Sequence, residues 1–141
     1  MIWATRRILI VLALLSLGCV RGDWINETLT LVDVTGTWEG VFRTPGYERT
    51  IRWVLQQKGG KVRGEAQTLD GVSVGSIEGL VKGDVFSWQL TGPFVPIYNY
   101  TASRSYRGDA AITLDEMRGQ ADGPGCRCSY VLRRAAPDAR Q

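Results

Sequence analysis

Beyond the first three dozen residues, apolar and polar positions alternate one by one along the chain. Trp38, Gly40 and Phe42 fall on one side with Glu39 and Arg43 on the other, and Phe86, Trp88 and Leu90 oppose Ser87 and Gln89. A period of two is the signature of a strand with one buried face. Glycine-rich pairs and triplets at Gly59-Gly60, Asp70-Gly71, Gly83-Asp84, Gly108-Asp109 and Gly123-Pro124-Gly125 punctuate the pattern and read as hairpin turns. Between them the spacing predicts strands over Gly36 to Arg43, Arg49 to Gln57, Lys61 to Thr68, Ser73 to Lys82, Asp84 to Leu90, Ile97 to Arg107, Ile112 to Asp122 and Cys126 to Arg134. No stretch in this region has a helical period. The expected fold is all-β: a single eight-stranded antiparallel up-and-down β-barrel over residues 34–134, preceded by a signal segment and a short tether and followed by a tail at residues 135–141.

Two of these strands contain nearly the same phrase, VRGEA at Val62 to Ala66 and MRGQA at Met117 to Ala121, and Ile77, Gly79 and Val81 form a looser third copy. In each, a glycine shares the apolar face with two hydrophobic neighbours. Glycine weakens a strand, so its place there implies either sharp coiling of the sheet or room left for a bulky neighbour such as Trp53 or Trp88. Recurring barrel geometry explains the repeat better than a duplicated site.

The first residues follow a different pattern. Arg6 and Arg7 precede the apolar run Ile8 to Leu17, ten residues long with Ser16 its one polar member, where crossing a bilayer as a helix takes about twenty. This is the layout of an export signal over residues 1–18. The following residues, LSLGC, resemble a bacterial lipobox, which implies lipidation of Cys19, anchorage of residues 19–33 as a tether and, with Val20 next in line, sorting to the outer membrane facing the periplasm. Ser16 and Gly18 also suit ordinary signal cleavage, which leaves a secreted soluble protein as the alternative. The cysteine count favours the lipid, since acylating Cys19 leaves Cys126 and Cys128 as an even pair.

Charge and composition then remove several function classes. Taking the first 18 of 141 residues away leaves 123, enough for one domain, and reduces 17 basic residues to 15 against 14 acidic ones. A formal charge of +1 gives no basis for nucleic-acid binding. The chain contains no histidine, the commonest general base and metal ligand. Cys126-Arg127-Cys128 falls short of a tetrahedral metal set, and a disulfide and two free thiols both remain open for it. Asp115-Glu116 is read as part of a strand, its two carboxyls on opposite faces. No nucleophile elbow, phosphate loop or cofactor motif is present, so no catalytic residue, metal or cofactor is assigned and a non-enzymatic role is expected. Arg-Gly-Asp at Arg107 to Asp109 is read as turn chemistry.

The ends of the barrel region, VTGTWEGVF and YVLRR, resemble the calycin group and its lipocalins. The likeness covers about a hundred residues in pattern and a handful in identity. It implies that Trp38 on the first strand packs beneath an arginine of the last and closes one barrel end. Strand phase selects Arg134, which shares a face with Tyr130 and Leu132, over Arg133. A guanidinium over an indole is a favourable pairing.

Two roles follow from this frame. A barrel of eight strands is just wide enough for one small ligand, and Trp53, Phe86, Trp88, Tyr98 and Tyr100 are the candidate lining for a small apolar or amphipathic molecule. Alternatively the same aromatics fill the core. The segment TGPFVPIYNY (Thr91 to Tyr100) then serves as a contact loop for an envelope protein partner or an exported enzyme to be inhibited, through Phe94, Tyr98 and Tyr100.

Overall fold

The computed structural model describes residues 31–93 and 103–137, with Tyr47 and Cys126 described by backbone alone. Eight antiparallel strands follow one another around a closed barrel: β1 (Gly36–Thr44), β2 (Tyr47–Lys58), β3 (Lys61–Gln67), β4 (Ser73–Lys82), β5 (Val85–Gly92), β6 (Arg104–Ile112), β7 (Glu116–Gly123) and β8 (Cys126–Arg134). Each strand pairs with the next in sequence, and β1 closes the barrel on β8 in a register running from Trp38↔Arg134 to Arg43↔Ser129. Closure gives every strand two partners, so no sheet edge is left to recruit another chain. Two-residue turns join β2 to β3 and β4 to β5, and the glycines that open them, Gly59 and Gly83, both take a φ of 60°, where other L-residues are strained.

The alternation seen in the sequence becomes the inside and outside of this barrel. Trp38, Trp53, Phe86, Tyr130, Leu55 and Met117 are fully buried, and no charged side chain is buried among the described residues. The repeated phrase is a device for packing large beside small. Val62, Ala66, Met117 and Ala121 face the core, while the glycine between each pair lies under a neighbour's side chain. A Cβ on Gly64 would come 2.8 Å from Leu55 Cδ2, one on Gly119 2.7 Å from the Tyr130 hydroxyl, and one on Gly79 2.6 Å from Phe86 Cε2. These distances are shorter than side-chain atoms tolerate, so the glycines are the space the larger groups occupy.

The second half of the chain departs from its sequence pattern. Gly108-Asp109 is not a turn: β6 runs through it to Ile112, and the connection to β7 is made by Thr113, Leu114 and Asp115. Gly108 pairs with Trp88 on one side and Ala121 on the other. Its Cβ would lie 2.8 Å from Trp88 Cζ2 and 2.3 Å from the Gln120 carbonyl, so this glycine serves the indole rather than a bend. The Arg107 to Asp109 tripeptide is accordingly mid-strand, and Asp115 is a turn residue rather than part of a strand. Of the strand expected over Ile97 to Arg107, residues 97–102 lie outside the described residues.

One end of the barrel is closed by a strap, residues 31–35, that crosses beneath the core. Val34 is fully buried, and Leu31 and Val32 pack on the core. The Val34 amide donates to Gln57 Oε1 at 2.8 Å, and the Trp38 indole donates to the Val34 carbonyl at 2.8 Å. Arg134 ties the strap down. Its guanidinium centre lies 4.3 Å from the Trp38 ring centroid, while its two terminal nitrogens donate to the carbonyls of Thr35 at 2.6 Å and Asp33 at 2.9 Å.

Candidate functional site

Away from the strap, the middle of the barrel holds a group of four aromatic rings drawn from four strands. A period-two strand points each inward, and for three of them a small residue beside the ring makes room. Trp53 on β2 is paired with Ala66, Trp88 on β5 is flanked by Gly79 and Gly108, and Tyr130 on β8 is flanked by Gly119. Phe42 on β1 sits opposite Tyr130. The rings are in mutual contact. Trp53 meets Trp88 edge-on with centroids 4.8 Å apart, Phe42 stacks on Tyr130 at 4.8 Å, and Tyr130 lies 5.8 Å from Trp53 and 5.7 Å from Trp88. Offset and edge-on arrangements of this kind place a positive ring edge against a negative face.

The polar atoms of this group are unequally satisfied. The Trp88 indole donates to the Tyr130 hydroxyl at 2.7 Å, and that hydroxyl donates in turn to the Asp109 carbonyl at 3.0 Å. Burial pushes the Tyr130 phenol well above the ordinary tyrosine range; the Trp88 hydrogen bond opposes the shift and the Asp109 charge adds to it, so the hydroxyl stays a donor at neutral pH. Trp53 is different: its Nε1 is buried and has no hydrogen-bond partner, alone in this respect among the described side chains. A buried donor left unpaired costs about 1–3 kcal/mol.

The residues singled out in the sequence are therefore only partly brought together. Trp53 and Trp88 touch. Phe86 is buried but sits two residues nearer the closed end, between Val81 and Ala110, outside the group of four. Tyr98, Tyr100 and Phe94 lie outside the described residues, as does Cys19. Phe42 and Tyr130 were not chosen as lining residues, although both follow from strand phase: Phe42 is four residues beyond Trp38, and Tyr130 four before Arg134, on the inward face in each case. Cys128 is buried and disulfide-bonded. Asp115 and Glu116 do not form a carboxylate pair for catalysis, since Asp115 faces Arg134 while Glu116 pairs with Arg118 and Arg133. Those arginine contacts hold the Glu116 carboxyl below its ordinary value, chiefly through the Arg118 hydrogen bond.

On the outside, a concavity of about 440 Å³ crosses β4, β5 and β6 between Glu78, Ser87, Arg107 and Asp109, with the Ser87 hydroxyl donating to Asp109 at 2.6 Å. It brings together a hydroxyl and carboxylates on an exposed, solvated face of the sheet.

No family model matches this chain, and no curated protein matches it. Among solved structures, a redesigned β-barrel, mFAP1, bound to DFHBI, is similar, with a TM-score of 0.54 and 16% identity over 72% of this chain and 94% of that one. At that identity the likeness concerns the fold alone: an eight-stranded antiparallel barrel.

Proposed function

We propose that this chain is an exported, lipid-anchored binding protein of a bacterial cell envelope, and that its lipocalin-like barrel takes up a small apolar or amphipathic molecule rather than catalysing a reaction. The observation that supports binding best is the Trp53 indole N–H, a buried donor without a partner inside a group of aromatic rings. A ligand with an apolar body and one acceptor atom would complete that hydrogen bond and spread over the rings from the side of Phe42, the one of the four that is only partly buried. The likeness to a barrel solved bound to DFHBI is compatible with this reading. Titrating the protein with fatty acids and related amphiphiles while following tryptophan fluorescence tests it. Saturable quenching or enhancement is expected, with affinity about tenfold weaker in Trp53→Phe, where the donor is gone. A flat response at saturating amphiphile would leave the second reading.

That second reading is a partner-binding module with a filled barrel, acting through Phe94, Tyr98 and Tyr100. The close packing of Trp53, Trp88 and Tyr130 favours it, because those rings already occupy the middle of the barrel.

Export and anchorage rest on Arg6, Arg7, the run Ile8 to Leu17 and Cys19. The intact mass of the protein recovered from its membrane should show cleavage before Cys19 and an acyl increment. A plain mass, unchanged in Cys19→Ser, would leave the protein secreted without a lipid.

A further inference from the structure

The chain has three lysines, Lys58, Lys61 and Lys82, and the fold gathers all of them at the closed end of the barrel. Lys58 and Lys61 face each other across the β2–β3 turn, and Lys82 begins the β4–β5 turn. The two turns are neighbours, since the Val81 amide donates to the Gly60 carbonyl at 2.7 Å. All three lysines are exposed, and none forms an ion pair with a described residue. Seven of the arginines behave otherwise: Arg43, Arg52, Arg63, Arg118, Arg127, Arg133 and Arg134 each lie against a carboxylate. Asp84 is the one acid in the two lysine-bearing turns, and the other acids at this end, Asp33, Asp115 and Glu116, lie beside Arg134, Arg118 and Arg133, which offset them.

The chain enters the described structure at this same place. Leu31 Cδ1 lies 3.9 Å from where a Cβ of Gly60 would be, and the Val32 amide donates to the Gly83 carbonyl at 3.4 Å. Leu31, the first described residue, therefore lies between the two lysine-bearing turns, and in the anchored reading the tether that begins at Cys19 runs on from it. At the same end Leu114, at the tip of the β6–β7 turn, is 82% exposed, the most exposed large hydrophobic residue described.

We propose that the closed end is the face the barrel rests on its membrane, with Lys58, Lys61 and Lys82 against anionic phospholipid headgroups and Leu114 reaching the interface. The opposite end, towards which Phe42 lies, is then turned away from the bilayer. This orientation rests on the anchored reading above, because the tether is what keeps three charges near the surface. A lysine near an anionic membrane favours the bound state by about fivefold, so three give about a hundredfold at low salt, and screening removes most of it within a Debye length. That is too little to recruit a free protein and enough to orient a tethered one.

Hydrogen exchange of the full chain reconstituted in vesicles tests the orientation. Vesicles of phosphatidylcholine with and without one-third phosphatidylglycerol are compared, with flotation run on the same samples. The β2–β3 and β4–β5 turns should exchange several-fold more slowly on the anionic vesicles than on the neutral ones. The β1–β2 and β7–β8 turns at the other end should be unchanged. The protection should vanish at high salt and in the triple variant Lys58→Gln, Lys61→Gln, Lys82→Gln, which alters only exposed side chains. Flotation with equal exchange at both ends would overturn the orientation and leave anchorage standing. Loss of flotation would overturn the anchored reading and the orientation with it.

Discussion

The Tyr130 hydroxyl stands between a donor and an acceptor that both need it, the Trp88 indole and the Asp109 carbonyl. Tyr130→Phe removes both bonds and should cost about 1–3 kcal/mol, with most of the loss in the unpaired Trp88 N–H. The pH dependence has a definite sign. Because burial raises the folded pKa above the ordinary 10.0, the unfolded chain gives up this proton first. The contribution is full below pH 10 and is lost as pH rises beyond it, so wild-type stability should fall above about pH 10 more steeply than that of Tyr130→Phe in alkaline denaturation curves. Gly108 makes a comparable point through space. Gly108→Ala drives a methyl into the Trp88 ring and the Gln120 carbonyl, and should cost about 1–3 kcal/mol by thermal or denaturant unfolding. At the turn glycine Gly83 the obstacle to alanine is of another kind, a positive φ with open space around it. The sequence could not make that distinction, because Gly83-Asp84 and Gly108-Asp109 are the same dipeptide. One bends the chain and the other sits beneath an indole, and only the pairing of β6 with Trp88 on β5 separates them.

Among the elements, the strap and the last residue of β8 act as one unit. Trp38 is covered by the Arg134 guanidinium, and Arg134 holds two strap carbonyls. Trp38→Ala should therefore cost about 3–5 kcal/mol, as removal of a buried aromatic does, and should loosen residues 31–35 as well as β1. The strap also has an acid limit. Hydrogen bonds from the Thr35 side chain and amide, with the Arg134 charge adding and burial opposing, hold the Asp33 carboxyl below its ordinary 3.8. Its contribution is complete above that value and fades as pH falls through the lower folded one. Comparing melting temperatures at pH 6 and pH 3, Asp33→Asn should lose less than the wild type. Because Asp33 is largely exposed, the difference should be small. At this scale β1, β5 and β8 were legible from alternation alone, and strand phase alone selected Arg134 over Arg133. The Asp33, Val34 and Thr35 contacts were not, since a strap has no period and its partners lie as far as about a hundred residues away.

For the whole molecule, eight strands of one alternating pattern fixed the inside and the outside of a barrel, and with them which residues are buried. What they could not fix is which buried aromatics meet. Trp53 and Trp88 were legible as inward-facing, whereas their contact with Tyr130 and Phe42 depends on the stagger that brings β8 back to β1, a property of closure rather than of any one strand. The unpaired Trp53 N–H is likewise invisible in a sequence, because it is a relation to every neighbour at once. It is also the feature on which the binding role depends, and it can be watched directly. In a ¹H–¹⁵N spectrum the Trp38 and Trp88 indole protons, bonded to Val34 and Tyr130, should resonate downfield of the unbonded Trp53 proton. Titration with a fatty acid or another amphiphile bearing an acceptor should move the Trp53 resonance downfield in a saturable way and leave Trp38, at the closed end, unmoved. A Trp53 indole resonance that stays in place at saturating concentrations of such ligands would contradict a binding site in this barrel.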